Sequence, residues 1–290
     1  MSILEEILEA KRLEVESLQE IEPLEVLKEG AKATARPSGF VLRVSSASQP
    51  AVIAEIKRSS PSRGIIRADL DPIETALAFA RSGAAAISVL TDSEFFAGDK
   101  AYIAAIKAEF NTGGLSSPPI LRKDFIICPY QVWESRALGA DALLLIVAAL
   151  SKTLLIELLA ESLQAELDVL LEVHDTAELE LAIDALHAVT DVKDSVLLGI
   201  NNRNLDTFET SLAVTKDLSA ELKRIRAERS DSPVINHLAL VAESGIFKAE
   251  DLKLLTSYGA DAFLIGESLV ASGDPGENLA RLIGDYRKRE

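Results

Sequence analysis

Residues that carry chemistry are scarce in this chain, and each shortage closes a class of function. Its 290 residues include one cysteine, Cys128, which excludes an internal disulfide framework and makes a cytosolic setting the expectation. Imidazoles number three, His174, His187 and His237. There is no HExxH, no Walker A sequence, no GxSxG elbow and no GxGxxG turn, so neither a metal nor a nicotinamide enzyme is indicated. Positive charge is short as well: 30 Lys and Arg against 46 Asp and Glu leave a net charge of −16. A nucleic-acid partner would need clustered cations, and no basic stripe exists. An anionic ligand would have to be held by a few local cations and backbone amides. No clean membrane span is present either. The longest apolar stretch, ALLLIVAALSKTLLIELLA at 142–160, is interrupted by Ser151, Lys152 and Glu157. It reads as a buried strand and then a helix N-capped by Ser151. The opening MSILEEILEAKRLEVESL is an acidic amphipathic helix and lacks the basic, apolar and small-residue regions of a signal peptide.

What is abundant is apolar sequence, 48% of the chain, in runs of strand length that alternate with helical patterns. Strands are predicted to begin near Val52, Ala86, Pro119, Ala142, Asp168, Val196, Leu240 and Ala262. Helix starts are marked by Asp71-Pro72, by Pro129 and by Asp175-Thr176, where a cap or proline meets free first-turn donors. The phrases SGAAAISVL, LGADALLLI and YGADAFLIG share one grammar: a glycine ends a helix and an apolar run enters the sheet. Eight strands alternating with helices predict an α/β fold, a (β/α)8 TIM barrel. An open doubly wound sheet would need a glycine-rich phosphate turn that is missing. Residues 1–50, with two helical stretches and the RPSGF passage, are expected to form a helical extension on a barrel spanning 51–290, and the charged passage 217–238 a surface insertion.

Several of the strands end in ionisable or amide side chains. Desolvating an unpaired charge costs several kcal/mol, roughly, so such groups are expected to pair or to react. In AVIAEIK, Ile53, Glu55 and Lys57 share one face and Val52, Ala54 and Ile56 the other. The mixed face can enter the barrel, whose C-terminal mouth hosts active sites in this architecture. Lys123 in PILRKDF and Glu172 in VLLEVHD occupy comparable positions. One such pair would read as an ordinary salt bridge; four groups on three strands favour catalysis. His174 reads as a local structural contact beside the cap Asp175, and Cys128 as a small apolar side chain. Asn201 and Arg203 in GINNRN offer neutral hydrogen bonds and a positive fork for a carboxylate or phosphate. Ser244 and Gly245 after strand 7, with Gly266 and Glu267 after strand 8, leave backbone amides free where such barrels often bind phosphate. The loop RSSPSRGIIRADLDP at 58–72 is long for its place and suits a lid, with Arg58, Ser60 and Arg63 able to close over an anion.

In order and spacing, AEIKRSSPSRG, ILRKDF, LEVHD, GINNRNL, AESGI and LIGES resemble the indole-3-glycerol phosphate synthase family, from about Val52 to Ala271. The resemblance implies a lyase of tryptophan biosynthesis that closes the indole ring of 1-(2-carboxyphenylamino)-1-deoxyribulose 5-phosphate with loss of carbon dioxide and water, using no cofactor and no metal. It implies Lys123 as the acid at the substrate carbonyl, Glu55 and Lys57 in the loss of water, and Glu172 in stabilising a cation or moving a proton, with Asn201 in the same set. Ser60, Phe125, Arg203, Glu243, Ser244, Gly245, Gly266 and Glu267 match its substrate- and phosphate-binding set, Glu267 through its backbone N–H. Its context names other tryptophan-pathway enzymes as candidate partners. Another phosphate-binding barrel, such as phosphoribosylanthranilate isomerase, would share the signal of strands 7 and 8 but needs a Cys or Asp pair in place of Glu55, Lys57 and Lys123. A non-catalytic barrel would bind a phosphate ester without turnover.

Overall fold

Alternation within each apolar run separates two packing surfaces, and the barrel uses both. In β1 (Ala51–Ile56), Val52, Ala54 and Ile56 join the core beneath the outer helices, while Ala51 and Ile53 join a second core inside the barrel. The computed structural model describes residues 2–192, 194–205 and 207–288; Met1, Arg289 and Glu290, the outer limits of the expected division, lie outside them. The strands that follow are β2 (Ala86–Leu90), β3 (Ile120–Lys123), β4 (Ala142–Ile146), β5 (Asp168–Val173), β6 (Val196–Asn201), β7 (Leu240–Glu243) and β8 (Ala262–Ile265). All pair in parallel in chain order, and β8 returns to β1 through Ala51 opposite Ala262 and Val52 opposite Phe263, closing the barrel.

Parallel neighbours need a crossover, and helices supply it. Asp71 caps α4 (Pro72–Arg81) by accepting from the N–H groups of Ile73 and Glu74, and Ser151 caps α7 (Lys152–Gln164) through Leu154. Gly83, Gly139 and Gly259 take left-handed φ values of 90°, 87° and 110° ahead of β2, β4 and β8, as the shared phrases predict. The passage 217–238 is not an insertion. It holds α9 (Ala213–Glu228), whose Leu218, Leu222 and Ile225 are buried against the barrel, and the short α10 (Pro233–His237). High charge marks the outer face of an ordinary barrel helix there.

The first 50 residues form α1 (Ile3–Ile21), α2 (Leu24–Ala33) and a third short helix, α3 (Phe40–Ser45), begun by Gly39 at φ 70°. α2 lies on α6 (Pro129–Ala137), and α3 plugs the floor of the barrel: Phe40, Val41 and Val44 pack with Ala51, Leu121, Leu170 and Leu197. The N–H of Val41 donates to the Asp168 carboxylate at 2.8 Å, and Asp141 accepts from the amides of Ser38 and Ile120. Burial nonetheless pushes Asp168 up to about 6. Among the described residues no helix is long and apolar enough to cross a membrane.

Candidate active site

Inward-facing charges on four strands, joined by an amide on a fifth, converge at the C-terminal mouth. Lys57, one residue past β1, meets Glu55 at 2.6 Å. Lys123 at the end of β3 lies 3.1 Å from Glu172 of β5 and 3.6 Å from Glu243 of β7. Asn201, closing β6, donates to Glu172 at 3.2 Å and accepts from the N–H of Arg203 at 3.1 Å. Register explains the meeting: Asn201 stands opposite Glu243, and Glu172 opposite Gly199. Gly199 is required there, because a Cβ would overlap the Glu243 carboxylate. Gly266 makes the same allowance for the carboxylate of Glu55.

Three carboxyls this close, each at most 4% exposed, cannot all ionise unaided. Burial would push Glu172 up, but Lys123 and His174 outweigh it and hold the group well below the usual carboxylate range. Burial and then the neighbouring Glu172 charge push Glu243 well above that range, against the opposing pull of Lys123. Glu243 is therefore the neutral member of the pair, and its Oε1 is one of the buried oxygens left without a hydrogen-bond partner. Burial disfavours the Lys123 cation, yet the carboxylates of Glu172 and Glu55 outweigh it and raise its pKa, so it stands as a protonated ammonium.

The other half of the mouth is built from turns. After β7 the chain passes through two left-handed residues, Ser244 at φ 66° and Gly245 at φ 76°. A non-glycine residue in that region costs about 1–2 kcal/mol, which the surrounding structure must hold in place. Glu267 opens α12 (Glu267–Val270), so its N–H belongs to the first turn and has no partner within the helix. Its carboxylate pairs with Arg63 at 3.1 Å and approaches Arg203 at 3.8 Å; Arg203 also donates to Ser62 at 3.0 Å. The loop at 58–72 folds into a small hairpin, Ser59–Ser60 against Gly64–Ile65, with Ser60 and Ser62 toward the pocket. Arg58 instead donates to Tyr102 and to the carbonyl of Ala68, bracing the loop from outside the pocket.

One wall comes from the extension. Ile3, Leu4 and Ile7 of α1 line the pocket, and Phe96, 6.0 Å from Phe125 between ring centroids, lines it from the connection after β2. Lys11, 3% exposed, fixes α1 in place by reaching Asp92 and Asp124, each at 3.0 Å, and Glu14 at 2.7 Å. Asp124 is shared with the fully buried Arg122, whose guanidinium also meets Glu134 at 2.7 Å. Asp124 follows Lys123 directly, so the anchor of α1 adjoins the central lysine.

Comparison with known proteins decides the family. The family described as indole-3-glycerol phosphate synthase matches residues 4–282. The chain is similar to indole-3-glycerol phosphate synthase of Aromatoleum aromaticum, 43% identical over 285 residues, which cover 97% of this chain and 99% of that one. It is 42% identical over 283 residues to the synthase of Roseiflexus sp., with 98% of each chain covered. The chain belongs to the indole-3-glycerol phosphate synthase family. Its reaction is the lyase step of tryptophan biosynthesis that yields indole-3-glycerol phosphate, as the motifs imply. A solved structure of 3-hexulose-6-phosphate synthase from Salmonella typhimurium, at 13% identity and TM-score 0.56 over 81% of this chain and 98% of that one, shares the barrel fold.

The expected catalytic and binding residues all line this pocket, Glu55, Lys57, Ser60, Lys123, Phe125, Glu172, Asn201, Arg203, Glu243, Ser244, Gly245, Gly266 and Glu267, whereas the lid arginines Arg58 and Arg63 do not. Lys11, Phe96 and Gly199 carry no mark in the sequence, because each acts through a partner on a different element or through the space it leaves. His174 makes local contacts, with Glu172 two residues before it as well as with Glu178 four residues after.

Proposed function

We propose that Lys123 donates the proton that drives indole ring closure, with the remaining mouth residues dividing the later steps. Supporting this reading is the position of Lys123: a buried ammonium in the pocket, 3.1 Å from an ionised Glu172 and 3.6 Å from a neutral Glu243. The aromatic carbon bearing the carboxylate attacks the substrate carbonyl carbon, and the carbonyl oxygen takes its proton from Lys123. Carbon dioxide leaves and its electron pair returns to the ring. The new hydroxyl departs as water with a proton from Lys57, whose partner Glu55 lies 2.6 Å away and keeps the ammonium oriented. Glu172 faces the cation that results and takes the proton from the adjacent ring methylene, which completes the indole.

Binding follows from the same arrangement. The Arg203 fork takes the substrate carboxylate, with Asn201 beside it and Phe125 packed on the aromatic ring. Ser60, Ser244 and the backbone amides of Gly245, Gly266 and Glu267 take the phosphate; the Glu267 carboxylate, already turned to Arg63 and Arg203, does not oppose it. Glu243, in contact with Glu172, holds Lys123 from 3.6 Å away. Residues 1–50 serve as an extension of one working unit with the barrel of 51–290, because α1 contributes pocket wall. The single cysteine and the biosynthetic family support a cytosolic location.

The test is the appearance of indole fluorescence on mixing purified protein with 1-(2-carboxyphenylamino)-1-deoxyribulose 5-phosphate in the presence of EDTA. Many turnovers per protein are expected; saturable binding without turnover, or a requirement for added metal, would overturn this assignment of roles.

A further inference from the structure

The imidazole of His174, just past β5, approaches one oxygen of the Glu172 carboxylate while Lys123 approaches the other. Its two nitrogens face two carboxylates. Nδ1 lies 2.9 Å from Glu178 Oε2, which also accepts the His174 backbone N–H at 2.7 Å. Nε2 lies 3.3 Å from Glu172 Oε1, buried and without an aligned hydrogen bond of its own. Ionised carboxylates only accept, so a neutral imidazole, which has one donor and one acceptor nitrogen, would set a lone pair against one of the two oxygens. Only the doubly protonated ring suits both neighbours. Glu178 is itself fixed in the first turn of α8 (Thr176–Ala188), where its N–H donates to the capping Asp175. α8 thus positions the carboxylate that orients the ring.

We propose that His174 is a positioning residue for the ring-closure reaction, a permanent second cation that keeps Glu172 ionised and aimed while Lys123 is neutral. The proposal rests on the roles assigned above to Lys123 and Glu172. In the resting site Glu172 has two cations beside it, Lys123 at 3.1 Å and His174 at 3.3 Å. Once Lys123 has given its proton to the carbonyl oxygen, one of the two is gone. Without the other, Glu172 would lie buried against the carboxyl of Glu243 with only the neutral amide of Asn201 to hold it, and the pair's remaining proton would be shared with it. A Glu172 that has picked up that proton can no longer accept one from the ring methylene. His174 never needs to touch substrate to prevent this.

The charged groups around the imidazole are consistent with the arrangement. Glu172 faces it from β5 and Glu178 from α8; beyond Glu172 stand Lys123 from β3, Glu243 from β7 and Glu55 from β1, while the nearest group from β6 is the uncharged Asn201. Asp175, the next residue, is turned to the helix it caps. Burial works against the cation, but the two glutamates raise the His174 pKa to about 10.

Two measurements test this. Nitrogen NMR of the wild-type protein can follow all three histidines, because only His187 and His237 accompany His174. His174 is expected to stay doubly protonated at pH 8; a neutral ring at that pH, or titration near the ordinary value of about 6.5, would overturn the proposal whatever the enzyme's activity. The second is the pH profile of His174→Gln, which keeps a donor near the Nε2 position and removes the charge. The expected result is a kcat about tenfold lower or worse at neutral pH, KM within about twofold of wild type, and an acid limb of kcat moved up by about one pH unit or more. A profile that superimposes on wild type after scaling would make His174 merely structural. Failure of the wild-type protein to turn over the substrate would count instead against the roles on which the proposal rests.

Discussion

Single residues in this mouth are defined as much by the space they leave as by the groups they carry. Gly199 has no polar atom beyond its backbone, yet the Glu243 carboxylate lies where its Cβ would be, with Leu170 packed on the same space. Gly199→Ala should therefore displace Glu243 from the side of Lys123 and lower kcat by about tenfold or more, while equilibrium unfolding changes by no more than the ~1–3 kcal/mol of an overpacked site. Steady-state kinetics set beside urea denaturation separate the two effects; an alanine variant of wild-type kcat would remove Glu243 from the positioning of Lys123. The pairing of an ionised Glu172 with a neutral Glu243 follows the same local logic. Two carboxyls in contact keep one proton between them, and the cations flanking Glu172 decide which one carries it.

Among the elements, α1 is the one whose role exceeds its appearance. By pattern it is a capped, acidic, amphipathic helix, begun by a reciprocal Ser2 and Glu5 capping box. Its Lys11 reads like any surface lysine on such a helix. In the fold that lysine is buried against Asp92, Asp124 and Glu14, and the carboxylates outweigh burial and raise its pKa above the usual value. Removing one partner from a buried cluster costs about 3–5 kcal/mol, far more than an exposed pair would. Lys11→Met is expected to lose stability on that scale and to raise KM, because the pocket wall of Ile3, Leu4 and Ile7 loses its anchor. Urea unfolding followed by substrate titration checks both; a loss under about 1 kcal/mol with unchanged KM would reduce α1 to packing.

For the molecule as a whole, most of the fold and the core of the site are legible in the sequence, and for one reason. Strand-length apolar runs that end in Glu, Lys or Asn place their last side chain inside a closed barrel, and a period of two fixes which residue that is. That is why Glu55, Lys57, Lys123, Glu172 and Asn201 can be named before any coordinates, and why they meet. What stays hidden depends on distance along the chain. Lys11 and Asp124 are far apart in sequence, and Phe96 finds Phe125 from another loop; His174 is the exception, since its partners lie two and four residues away and only the geometry of β5 and α8 brings both onto its ring. Charge density misleads at 217–238, where α9 turns its polar face outward and looks like an insertion. The net charge of −16 is likewise an outer property, since the pocket is lined by Lys57, Lys123 and Arg203, three cations suited to a substrate with a carboxylate and a phosphate. The central claim is that Lys123 supplies the proton for ring closure, and the most direct measurement compares wild type and Lys123→Met in the indole-fluorescence assay at saturating substrate. A fall in kcat of about 100- to 10,000-fold with the fold retained by circular dichroism is predicted; a folded Lys123→Met protein that turns over at the wild-type rate would contradict it.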